Sequence, residues 1–149
     1  MPITPDDGPD RGRLAASIST AVVHAFTEHT GRGPTRARTY INENLVTVLL
    51  QDTLTKGERS LVSDELGELV LTMRKAFQRT MRHDLIAGIE QILGRTVIAF
   101  MSDNHLDPDV AVEVFVLAPA GAKANADGAP ALDTTPSQAT ATAAAPPTR

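Results

Sequence analysis

Cysteine is absent from this chain, which removes disulfides, thiolate nucleophiles and cysteine-ligated zinc together. Such a sequence suits a reducing compartment, and a cytoplasmic location is the expectation. Aromatic residues make up only 3% and tryptophan is missing, so platforms for stacking single-stranded bases are scarce. The formal charge of −4 weighs against a general binder of phosphate backbones, and hence against a nucleic-acid partner. No apolar run of ~18 residues exists to span a bilayer, and the proline- and aspartate-rich start lacks the basic-then-apolar pattern of a signal peptide. Any membrane role is therefore expected to be peripheral.

What is present is concentrated. The large aliphatic residues that make up most of the 42% hydrophobic fraction lie almost entirely between Leu14 and Leu117, and beyond Pro119 only Leu132 remains. Residues 1–10 read as a disordered leader, 11–118 as one folded domain and 119–149 as a disordered tail rich in Ala, Pro and Thr.

Within the domain, the spacing of apolar residues changes period several times. Leu14, Ile18, Val22, Ala25, Phe26 and His29 recur at helical intervals until Gly31, Gly33 and Pro34, which predicts a helix near 12–31. From Arg36 the period is two, the turn residues Asn42-Glu-Asn44 follow, and Leu45 to Leu50 completes a β-hairpin. Thr55 with Glu58 forms a capping box for a helix start. The apolar stripe from Leu61 to Ile92 then runs to Gly94, with a bend expected around 63–67, so one long helix and a broken pair both fit.

A second hairpin is expected from Thr96–Met101 and Val110–Leu117 around a longer polar connection. In its last strand the valines at 110, 112, 114 and 116 share one face, yet Phe115 and Leu117 make the other apolar as well. That second face needs cover, from the first helix or from a second copy of the chain, which makes a homodimer a reasonable expectation. The fold class is α+β: a four-stranded antiparallel sheet of two hairpins, packed with an N-terminal helix and a long central one, either continuous or broken.

Candidate sites are few. Gly31 to Tyr40 gathers guanidiniums, hydroxyls and glycine amides, and Arg36, Arg38, Thr39 and Tyr40 could hold bicarbonate, phosphate or a nucleotide, as a dimeric sensor would. Asp103, His105, Asp107 and Asp109 are chemically suitable cation ligands, though they match neither a calcium loop nor a zinc spacing. Arg74, Arg79 and Arg82 lie with Lys75 and His83 along the face of the central helix opposite its apolar stripe, where an acidic partner could dock. No nucleophile with a base, no carboxylate pair and no histidine ligand pair stands at persuasive spacing, so the reading is of a non-enzyme without a cofactor.

Five segments together resemble one family. They are Gly31 to Ile41, Asp52-Thr-Leu-Thr55 with Glu58, Met73 to Met81, Gly94 to Ser102, and Asp107 to Phe115. Their order and content are similar to the MpsC-like family, a bacterial domain long without an assigned function. That resemblance implies an association with a sodium-translocating, membrane-potential-generating system whose other components are linked to inorganic carbon supply. It implies an accessory or regulatory subunit of a cation- or bicarbonate-translocating system, beside an integral membrane transporter. It carries over no catalytic residues.

Overall fold

A computed structural model describes residues 9–121. The leader through residue 8 and the tail from residue 122 lie outside them.

The chain runs α1 (Pro9–Thr30), β1 (Arg36–Asn42), β2 (Leu45–Gln51), α2 (Lys56–Ser63), α3 (Gly67–Leu93), β3 (Val97–His105) and β4 (Val110–Leu117). It is an α+β fold with one four-stranded antiparallel sheet in the order β1-β2-β4-β3. Helices α1 and α3 cover one face of that sheet. Proline at the first position of α1 loses no intrahelical bond, so the helix starts earlier than its apolar stripe alone suggests.

The break expected around 63–67 separates α2 from α3. Asp64 ends α2, Glu65 adopts φ 62° and α3 restarts at Gly67, in a stretch poor in strong helix formers. Thr55 accepts from the Glu58 amide while the Glu58 carboxylate accepts from the Thr55 amide, so both halves of the capping box are made. Thr55→Ala is expected to lower stability by about 1 kcal/mol in urea denaturation, since it orphans one amide without opening the core. At its far end α3 stops at Gly94, whose φ of 62° is readily available to glycine.

Strand β3 continues to His105, four residues past the end anticipated for it. Its outer half, Ser102-Asp-Asn-His105, is polar but still alternates: Ser102 and Asn104 face the helices, Asp103 and His105 face away. Polar residues on an edge strand hid the period from a hydrophobic reading.

The core consists of Ile18, Val22 and Phe26 from α1, Met81, Leu85 and Ile89 from α3, and Val46, Val48, Leu50, Ala111, Phe115 and Leu117 from the two central strands. Phe115 is fully buried and meets Phe100 with ring centroids 5.0 Å apart. The face carrying Phe115 and Leu117 is thus covered within one chain, by α1 and α3. The uncovered face is the valine face of β4. Gly33 sits so close to the end of α1 that a Cβ there would lie 2.4 Å from Thr27 Oγ1, which fixes how the chain turns from α1 into β1.

Candidate functional site

The densest polar chemistry lies where α2, α3 and the end of β2 meet. Arg74 projects from α3 into this junction and is only 7% exposed. Its Nε donates to Glu58 Oε2 at 2.7 Å and its Nη2 to Glu58 Oε1 at 3.1 Å, a bidentate pair. Nη2 also donates to the Thr53 carbonyl, and Nη1 to Thr53 Oγ1 and Asn104 Oδ1. These bonds use all five guanidinium donors.

The network extends through neighbouring side chains. Thr53 donates its hydroxyl to Asp109 Oδ1, and Asp109 Oδ2 accepts from the Leu54 amide. Arg32 donates to the carbonyls of Asp52 and Leu54 and pairs with Asp52, which Arg59 also contacts. Burial alone would raise the Glu58 carboxyl, but the hydrogen bonds and charge of Arg74, with those from Thr55, hold it below the usual carboxylate range. Asp52 is likewise held low: its partial desolvation is outweighed by Thr35, Arg32 and Arg59. Such a saturated network fixes positions and leaves little capacity for a ligand.

Beside it, Phe26, Met73, Phe77 and Met81 line a cleft of about 180 Å³ floored by Arg74 and Glu58. Cofactor pockets run to about 300–1,000 Å³, so this one has room for a single side chain of a partner. A shallower groove lies between α3 and β3, lined by Lys75, Gln78, Arg79, Arg82, Phe100 and Ser102. Arg82 stacks over Phe100 at 5.6 Å, whereas Lys75 and Arg79 have no partner among the described residues. On β4, Glu113 is fully buried and accepts from Ser102 at 2.8 Å. Burial pushes its carboxyl up to about 8, against the lowering effect of Ser102.

The open face of the sheet is the third region. Arg36, Arg38 and Tyr40 project there together and line one hollow with Leu49 and Gln51. Thr39 does not join them, because alternation turns it to the other face, where its hydroxyl meets Ser19 of α1 at 2.8 Å. At the opposite edge Asp103 and His105 line a second hollow with Leu49, Val110 and Val112.

Two further expectations are corrected by this geometry. Arg74 is not on the exposed basic face with Arg79 and Arg82; its position on the helix aims it into the α2 junction, where Glu58 holds it. Nor are Asp103, His105, Asp107 and Asp109 brought together, and no group of three or more His, Asp or Glu among the described residues could hold a metal ion. Asp109 turns inward to Thr53 and Leu54, Asp103 accepts from the Asn104 amide, and His105 Nδ1 is 2.8 Å from the Pro108 carbonyl. Glu113 is legible from the sequence alone: in the alternating run of β4 it is in phase with Phe115 and Leu117, which places a carboxyl in the core.

Residues 10–119 match the family profile described as "Na+-translocating membrane potential-generating system (MpsC)". The chain belongs to the MpsC family. The match spans the whole sheet and all three helices, so the buried Arg74 network, the α3–β3 groove and the open sheet face all lie in the MpsC domain. No curated protein and no solved structure gives a significant match. No helix among the described residues of this MpsC chain is long and apolar enough to cross a membrane.

Proposed function

We propose that this protein is a non-catalytic accessory subunit of a Na+-translocating, membrane-potential-generating system and acts by contact with its membrane-embedded parts. The family match over residues 10–119 carries this reading. Two features support it. A chain whose described helices do not cross a bilayer would have to work on a partner that does. Its buried Arg74, Glu58 and Thr53 are spent on holding α2, α3 and the turn before β4 together, which favours a rigid docking body over a reaction centre.

The docking surface in this reading is the exposed cationic side of α3, with Arg79 and Arg82 meeting acidic loops of the membrane partner. Charges at such a rim mainly speed association and select the partner. Affinity capture from native membranes is expected to recover an integral membrane component of the system, and Arg79→Glu/Arg82→Glu to weaken that recovery by roughly tenfold or more. Capture of no membrane component, together with an unchanged membrane potential when the gene is deleted, would overturn the reading.

A further inference from the structure

We infer that the open face of the sheet is the interface of a homodimer, in which two copies stack face to face about a twofold axis running parallel to the strands, between β2 and β4. This stands independently of the functional reading above.

The face is apolar at its centre and carries opposite charge at its two edges. Leu45, Thr47 and Leu49 on β2 lie beside Val116, Val114 and Val112 on β4. Next to them, Tyr40 is 50%, Leu45 42% and Met101 53% exposed, which is a large apolar area to leave against water. On the β1 edge stand Arg36 and Arg38, with no partner for either guanidinium among the described residues. On the β3 edge stands Asp103, with His105 beyond it, level with Arg36 and with its ring Nδ1 2.8 Å from the Pro108 carbonyl.

The registers decide how a second copy fits. Arg38 is level with Leu49, Leu49 with Val112, and Val112 with Asp103; one step along, Tyr40 is level with Thr47, Val114 and Met101. A twofold axis along the strands lays β1 over the β3 of the other copy and β2 over its β4, keeping each level. Arg38 then meets Asp103 of the second copy, Tyr40 meets Met101, and Leu49 meets Val112. The pairing is made twice, once on each side of the axis. The usual twist between packed sheets moves the edges by a few ångströms, which an arginine side chain spans. An axis across the strands instead sets β1 over β1, and the unpaired Arg36 and Arg38 would face their own copies. Like charges at that spacing repel, so the charge pattern selects the first arrangement.

The area is sufficient. Four strands ~4.8 Å apart and seven residues long at ~3.3 Å each make a flat face of roughly 440 Å², which side-chain relief raises to about 650 Å² per copy; the total of ~1,300 Å² falls within the range of stable interfaces.

Charge reversal tests both the dimer and its axis. The full chain at roughly 100 μM should sediment as a dimer, and Arg38→Asp or Asp103→Arg alone should raise the dissociation constant by about tenfold or more, because each places like charges opposite one another twice. Mixing the two variants should restore the dimer, since each then supplies the charge that the other lacks. Both side chains are exposed, so each variant should keep its helical circular dichroism; if one does not, Met101→Glu serves as the second disruptive variant. A monomeric wild-type chain, single variants that dimerise unchanged, or a mixture that stays monomeric would each overturn the inference.

Discussion

Arg74→Ala is expected to lower the stability of this domain by about 3–5 kcal/mol, more than any substitution on its exposed cationic faces. The change removes five donors at once and leaves the Glu58 carboxylate, 6% exposed, without its counter-charge. It also strands the Thr53 carbonyl and Asn104 Oδ1. Thr53 and Glu58 are buried away from water, and of their partners here only the Thr55 amide would remain to Glu58. By contrast the bridge between His29 and Asp84, with Asp84 57% exposed, belongs to the class worth about 0–1 kcal/mol. Arg74→Lys should fall between, because an ammonium keeps the charge but not the bidentate fork. Replacing both partners, as in Arg74→Met/Glu58→Met, should be milder than Arg74→Ala, since no buried charge then lacks a counter-ion. Urea denaturation of the four chains decides the matter. A loss below about 1 kcal/mol for Arg74→Ala would mean that the network holds nothing together.

Most of the architecture could be read from periodicity, since burial alternates with the residue pattern on three of the four strands. In β2 and β4 the buried positions 46, 48 and 50, and 111, 113, 115 and 117, fall on strict alternation. The exception is informative. In β3 burial fails to alternate only over the inner half, at the register shift between Val97 and Ala99; the outer half alternates but exchanges aliphatic residues for Ser, Asp, Asn and His, so a hydrophobic template ends it at Met101, while its backbone keeps pairing with β4 to His105. Partner strand and register supplied what side-chain polarity concealed.

The sites were less legible, for a reason visible at Arg74. On a helix, residues at i, i+4 and i+8 share a face, and Val70, Arg74 and Gln78 lie on the buried side with Met81 and Leu85. A charged residue on that stripe looks like the margin of the solvated face until its counter-charge is known. That counter-charge, Glu58, is 16 residues away on another helix and already accounted for locally by its capping box. Sequence spacing contains the local role and not the long-range one. The same limit applies to Asp109, which looked like part of a cation loop and instead anchors the start of α2 through Thr53 and Leu54.

Glu113 sets the second large effect, and its signature is a slope against pH. Its carboxyl is pushed from 4.5 up to about 8 by burial, with Ser102 its one hydrogen-bond partner among the described residues and Oε2 without any among them. Between those two values the folded chain binds a proton that the unfolded chain has released. Stability must therefore fall as pH rises through that window, fully present below 4.5 and lost by about 8. The loss sums to at most roughly 4–5 kcal/mol. Glu58 and Asp52 act in a separate range, because carboxyls held low lose their contribution as pH falls below the ordinary carboxylate value. Glu113→Gln keeps an oxygen for the Ser102 hydroxyl and cannot ionise. Measured by urea denaturation from pH 5 to 8, the wild-type chain should lose stability steadily relative to Glu113→Gln, with the variant the more stable of the two at the alkaline end. Parallel curves would show that Glu113 ionises as readily in the folded chain as in the unfolded one, and that the core of this sheet admits water at β4.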